Sequence, residues 1–300
     1  MGKLAELLNS KVTIILDGAM GTELQNRGCN ISLPLWSANP LIERPDVVRH
    51  IHIDYIDCGA DIITANTFRT QRRTFEKAGF RLKDLDFAQT AKALTKTAVD
   101  LAQDAIMIAA DEGKVLVAGC ISPLEDCYSP ELVPDMDTLC TEHFEHIQNL
   151  VESGVDFLLA ETMISLREIS AVVNQIHKFD IDYALSFTPK SEKELLSGEQ
   201  ISDVIKVIEK YSPQAIMINC IHPSMVEPVL RNLKSLTQIP TGAYANIGNP
   251  LEKVTGSLGR NVTADEYFNY AKKWKQLGVK IIGGCCGTSP LYIMKLRSLK

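Results

Sequence analysis

The chain is poor in aromatic residues, which fill 6% of its 300 positions and include two tryptophans. Its Lys and Arg are scattered, and the formal net charge is −6. That composition offers nucleic acid neither a basic stripe nor stacking platforms. Long apolar runs are missing too. None approaches the ~18 residues of a membrane-spanning helix, and the early run 12–16 in "SKVTIILDG" is too short for the core of a secretion signal. Glu6 stands where a myristoylation signal needs Ser or Thr. The expectation is a cytoplasmic protein acting on a small molecule, with no nucleic-acid or membrane partner. No strand-like run is followed by a phosphate-binding G-x-G-x-x-G, the spacing in "GAMGTE" being wrong, and no low-complexity linker or charge block divides the chain. It therefore reads as a single domain over residues 1–300, with 45% apolar residues to fill a large core.

What is present is a regular alternation. Eight short runs rich in β-branched residues, at 12–18, 61–68, 115–122, 157–162, 183–188, 215–220, 241–246 and 280–286, are separated by stretches with helical periodicity. Two of these, "FAQTAKALTKTAVDLAQDAI" and "TADEYFNYAKKWKQLG", repeat apolar residues every three or four positions. Eight strand–helix units predict an α/β fold, a single (β/α)8 TIM barrel, with an open doubly wound sheet as the runner-up. Segments 26–45 and 125–137 read as long irregular βα loops.

Active sites of such barrels form where the strands end, and here the ends carry Asp17, Asn66, Cys120, Glu161, Cys220, Asn246, Cys285 and Cys286. Three of the eight cysteines stand out. Cys220 closes strand six, Cys285 and Cys286 close strand eight in "IIGGCCGTSP", and both strands flank strand seven on one rim. Thiolates in a reducing compartment suit Zn2+, and three protein ligands leave a fourth position open for chemistry. The glycines 283, 284 and 287 would let two adjacent side chains face one ion. His143 and His146 in "EHFEH" imitate a metal motif, but on the helix before strand four they are expected on a solvated face. His222 is expected to cap the following helix. Cys29, Cys58, Cys127 and Cys140 have no partner spacing and read as packing or surface residues.

The stretches "ILDGAMGTELQNRG", "LWSANPLIERPDVVRHIHIDYIDCGADIITANTF", "LAET", "INC" and "IGGCCGTSP" occur in the order seen in the zinc-dependent homocysteine S-methyltransferases, and the chain resembles that family over essentially its whole length. The resemblance implies that Cys220, Cys285 and Cys286 hold Zn2+ and that the homocysteine thiol takes the open position. It implies that Asp17 and Glu161 hold the homocysteine ammonium, that backbone amides from Gly18 to Thr22 face its carboxylate, and that Asn246 orients substrate or a supporting group. Metal-held thiol is deprotonated, so the reaction needs no general base, only alignment of sulfur, methyl and leaving group.

The methyl donor is expected to be a small onium compound. The "LWSA" segment and Thr162, which stands directly after Glu161 and is too short to cage a trimethylammonium, favour a sulfonium such as S-methylmethionine, S-adenosylmethionine or dimethylsulfoniopropionate. A betaine-dependent enzyme is the alternative, and a non-catalytic zinc- or thiol-sensing barrel is the alternative of another class. Methionine biosynthesis is the implied context, and homo-oligomer formation is left open.

Overall fold

The computed structural model describes residues 2–109, 115–247 and 262–300. Its strands are β1 (Ile14–Ile15), β2 (Ile62–Thr64), β3 (Leu116–Ile121), β4 (Phe157–Met163), β5 (Tyr183–Phe187), β6 (Ala215–Asn219), β7 (Thr241–Ala245) and β8 (Ile281–Gly284). Among the described residues they form one parallel sheet in which β2 through β8 pair in sequence order and β1 pairs with β8. A parallel bridge between Leu16 and Ile62 closes the seam between β1 and β2. The fold is the (β/α)8 barrel expected from the alternation, with helices between successive strands.

The strands are apolar on both faces because both faces are covered. All five residues of β5, β6 and β7 are buried, as a parallel sheet with helices outside and packed side chains inside requires. The interior holds Ile14, Leu16, Ile62, Phe157, Leu159, Met217 and Ile281. Leu4 and Leu8, one turn apart on an N-terminal helix (Lys3–Ser10), join that interior cluster and stop the barrel at the end where the strands begin. The outer helices start as their sequences direct: Asp86 and Gln89 form a capping box ahead of Phe87–Ile108, and Thr263 with Glu266 does the same ahead of Ala264–Gln276.

Segment 26–45 differs from the irregular loop expected of it. A 3-10 turn (Trp36–Ala38) runs into a helix (Asn39–Glu43) with Pro40 in its first turn, where proline's fixed φ favours a helix start. Segment 125–137 is mostly irregular, with one 3-10 turn at Pro130–Leu132.

Candidate active site

β7 lies between β6 and β8 in the sheet, so the ends of β6 and β8 face each other across one strand. The three thiols that follow them converge: the sulfurs of Cys220, Cys285 and Cys286 all lie within 4.8 Å of one another, the one such cluster of potential metal ligands among the described residues. Cys220 Sγ is 2.9 Å from Cys285 Sγ. The turn after β8 depends on Gly287, whose φ of 84° is left-handed and whose added Cβ would meet Ile247 Cγ1 at 2.4 Å. A Cβ at Gly284 would strike Thr288 Oγ1 at 2.3 Å, the same hydroxyl that donates to the Cys285 carbonyl at 2.7 Å.

Backbone strain gathers here. Cys220 has φ 56° and Thr162, at the end of β4, has φ 58°, left-handed conformations that cost a residue with a side chain about 1–3 kcal/mol and persist only where neighbours enforce them. Asn219 does the enforcing. Its Nδ2 donates to Thr162 Oγ1 at 2.8 Å and lies 3.4 Å from Cys220 Sγ. Its Oδ1 accepts from the Thr162 amide at 3.2 Å and from Ser186 Oγ at 2.7 Å. Asn246 acts on the other side, its Oδ1 accepting from the Cys286 amide at 3.0 Å. The Asn246 Nδ2 is buried and has no hydrogen-bond partner among the described residues.

Protons in the trio are shared unequally. Hydrogen bonds from Cys220 and Cys285 hold the Cys286 thiol well below its ordinary value, whereas giving hydrogen bonds to Cys285 and Cys286, together with burial, pushes Cys220 well above. A trio with Cys220 buried, Cys285 and Cys286 half-buried, and one thiol favoured as thiolate is a receptive site for a thiophilic cation.

Two carboxylates stand beside the thiols. Asp17 is buried, its Oδ2 accepting from the Thr64 amide at 2.7 Å and its Oδ1 from Thr64 Oγ1 at 3.1 Å. Burial pushes its carboxyl up to about 8, and the charge of Glu161 adds to the shift. Glu161 Oε1 lies 2.7 Å from Cys120 Sγ, and its Oε2 accepts from Tyr244 Oη at 3.1 Å. Burial raises this carboxyl as well. Neither has an ion-pair partner among the described residues. Gly18 and Thr22 hold the adjoining wall. A Cβ on Gly18 would meet the Tyr55 hydroxyl at 2.8 Å, and Thr22 Oγ1 accepts from the Gly287 amide at 3.1 Å, tying the helix Met20–Asn26 to the thiol-bearing turn.

The rim above is aromatic. Trp36 and Phe68 meet edge to face with centroids 5.5 Å apart, and Trp36 packs on Gly21, where a Cβ would come within 2.6 Å of its ring. Tyr128, in the loop after β3, lies against the cluster: burial first, then the thiols of Cys220, Cys286, Cys127 and Cys285, raise its hydroxyl. Cys127, half-buried in the same loop, has its thiol pushed up by burial first and also by the Cys286 charge.

Two other expectations meet different fates. His222 caps the helix Pro223–Leu236, its Nδ1 accepting from the Ser224 amide at 3.3 Å. His143 and His146 are not on a solvated face. Both are buried, His143 Nε2 lying 3.0 Å from Glu168 Oε1 and His146 Nε2 3.1 Å from the Cys120 carbonyl. They brace the helix Met136–Ser153 against the barrel, away from the thiols. Burial holds His146 down at about 4, so it is a neutral prop. Asn219, Thr64, Tyr244 and Tyr128 also shape the site, though none carries a ligand signature in the sequence. The first was legible as the residue directly before Cys220 in "INC".

A family profile described as homocysteine S-methyltransferase matches residues 14–299. The homocysteine S-methyltransferase of Escherichia coli K12 is 33% identical over 98% of this chain and 97% of its own. YbgG of Bacillus subtilis, also named a homocysteine S-methyltransferase, is 30% identical over 100% and 99%. A selenocysteine methyltransferase of Astragalus bisulcatus is 28% identical over 92% and 89%. The metallated form of the E. coli homocysteine methyltransferase MmuM superposes with a TM-score of 0.86 at 30% identity, covering 99% of both chains. By profile, relatives and fold together, this chain belongs to the homocysteine S-methyltransferase family of methyl-transferring enzymes.

Proposed function

We propose that the enzyme transfers a methyl group from a sulfonium donor to L-homocysteine, that Cys220, Cys285 and Cys286 hold Zn2+, and that Asp17 and Glu161 receive the substrate ammonium. The observation that carries this reading is the juxtaposition of three converging thiols with two carboxylates that have no ion-pair partner among the described residues. When bound, zinc would hold the substrate sulfur as a thiolate at neutral pH. The family and the metallated state of MmuM support a metal, and the all-sulfur donor set supports zinc among the metals.

The remaining work belongs to the chain's own residues. Asp17 and Glu161 offer carboxylate oxygens to an ammonium, and the first turn of the helix Met20–Asn26, beside Gly18 and Thr22, presents amides toward its carboxylate. Asn246 steadies the Cys286 backbone, and its Nδ2 has no hydrogen-bond partner among the described residues. So anchored, the substrate sulfur attacks the donor methyl in line: the new S–C bond forms as the donor S–C bond breaks, and its electron pair leaves on a neutral thioether. No proton moves in that step. Trp36, Phe68 and Tyr128 cover the rim where a donor would enter, limiting water around the reacting atoms.

Thr162 supports a sulfonium over betaine. Its side chain is buried and turned to Asn219 and the Cys220 sulfur, so this position adds no aromatic wall around a trimethylammonium. The alternative of a zinc or thiol sensor is disfavoured by Asp17, since a sensor gains nothing from a buried uncompensated carboxylate that costs stability. Initial rates of methionine formation from homocysteine, with S-methylmethionine, S-adenosylmethionine, dimethylsulfoniopropionate and betaine at equal concentration, test both points. A sulfonium should be fastest. Preference for betaine would overturn the donor assignment, and no turnover with any donor in zinc-loaded protein would favour the sensor.

A further inference from the structure

The two side chains that hold Glu161 come from different strands and reach different oxygens. Cys120, on β3, lies with Sγ 2.7 Å from Oε1. Tyr244, on β7, donates from Oη to Oε2 at 3.1 Å. Both donors are at least 97% buried, while Glu161 itself is half-buried and faces the open end of the barrel. We infer that Cys120 and Tyr244 are positioning residues for substrate recognition, fixing the Glu161 carboxylate in the plane and charge state that an ammonium requires. This rests on the reading of Glu161 as an ammonium partner and extends it to residues that touch no substrate.

A carboxylate that must receive a cation can fail in two ways: it can rotate away from its ligand, or it can take up a proton and stop attracting a cation. One donor on each oxygen opposes both, because the pair defines the carboxylate plane and each bond favours the ionised form. Burial drives Glu161 toward its neutral form, and the bonds from Cys120 and Tyr244 work against it. An ion pair with Lys or Arg would also keep the charge, but it would neutralise the site in advance. Neutral donors leave the negative charge for the substrate.

The choice of thiol at Cys120 has a chemical consequence beside a methyl donor. Burial first, then the Glu161 charge, pushes the Cys120 thiol well above its ordinary value. It stays an S–H donor and not a thiolate, so it does not compete for the methyl group although it stands in the same chamber. The His146 ring, near the Cys120 carbonyl, helps hold the strand that carries it.

The test uses zinc-loaded enzyme and two ligands, L-homocysteine and 4-mercaptobutanoate, which keeps the thiol and carboxylate but has no amine. Cys120→Ala and Tyr244→Phe should each weaken homocysteine binding by about tenfold, the scale of a lost hydrogen bond to a charged group. Binding of 4-mercaptobutanoate and zinc content should be unchanged. Cys120→Ser, which restores a donor, should recover homocysteine affinity. Equal weakening of both ligands, or no weakening of homocysteine, would overturn the inference. Glu161→Gln separates the layers. If it discriminates against homocysteine and Cys120→Ala does not, only this inference fails. If Glu161→Gln leaves the two ligands unseparated, the ammonium reading falls and takes the inference with it.

Discussion

Two buried aspartates, on adjoining strands at opposite ends of the barrel, are treated in opposite ways. Asp61 precedes β2 at the closed end. It accepts from the Ile15 amide at 2.8 Å and is paired with Lys11 and with Lys300, the latter at 2.7 Å. Asp17 follows β1 at the open end, equally buried, and among the described residues its carboxylate accepts from Thr64 and has no ion-pair partner. One end completes its charge with its own lysines, tying Lys11 and Lys300 to the barrel. The other leaves charge incomplete, beside strained backbone at Cys220 and Thr162 and thiols crowded within bonding range of a cation. A buried charge left without a counterion is costly, and its coincidence here with strained backbone and crowded thiols is the pattern of a ligand site.

The largest effect should come from the thiols. Cys285→Ala would leave the proposed zinc site with Cys220 and Cys286, two ligands where zinc in a catalytic site takes three. Zinc content measured on purified protein should fall from about one per chain toward zero, and methyl transfer should drop by about three orders of magnitude, the scale of several kcal/mol of lost metal assistance. Full zinc retention would remove Cys285 from the ligand set. It would also break the contrast drawn between the two ends, since the thiol crowding would then need another explanation.

The aspartates themselves give the next effect, and they should respond in opposite senses. The folded-state pKa of Asp17 is raised from 3.8 to about 8, so between those values the native chain binds a proton that the unfolded chain does not. Its contribution therefore favours folding at low pH and is lost as pH rises toward 8. Asp17→Asn should raise the melting temperature of zinc-free protein at pH 8.5 and do little at pH 4. Asp61→Asn should lower it near pH 7, by about 1–3 kcal/mol in stability, because two partly exposed lysines lose their partner. Binding should run the other way. Homocysteine affinity should improve with pH up to about 8 in the parent, as Asp17 sheds its proton, and Asp17→Asn should flatten that slope and weaken binding by about tenfold or more. Calorimetric titration across pH checks this. Destabilisation by Asp17→Asn at pH 8.5 would show that the carboxylate is compensated after all.

Much of this was legible beforehand, for physical reasons. The barrel declared itself because a parallel strand buried on both faces must be an unbroken apolar run, and eight such runs survive in order. The thiols declared themselves because no packing demand places two cysteines among glycines at a strand end. His143 and His146 were misplaced because histidine was counted as polar. They recur with Leu139, Ile147 and Leu150 at helical spacing, so the periodicity itself pointed inward. The helix Asn39–Glu43 was hidden in a segment dense with Asn, Pro and Ser, although Pro40 is in the right place to start one. Cys120 and Tyr244 could not be matched to Glu161 from the sequence, because β3, β4 and β7 share that site only when the barrel closes.

The smallest effect sharpens the boundary of the site. His222 stands two residues after Cys220 and is a metal ligand by type, so proximity alone would enlist it. Its Nδ1 is already engaged with the Ser224 amide and lies 2.8 Å from Ser224 Oγ, satisfying the start of the helix Pro223–Leu236. It is absent from the cluster formed by the three thiols. His222→Ala should therefore cost about 0.5–2 kcal/mol of stability, the usual loss of a helix cap, while zinc content and the homocysteine dissociation constant stay as in the parent. Denaturant unfolding read beside metal analysis decides it. A fall in zinc content with unchanged stability would move His222 from the helix to the metal, and the open end of the barrel would hold its ion with four protein groups instead of three.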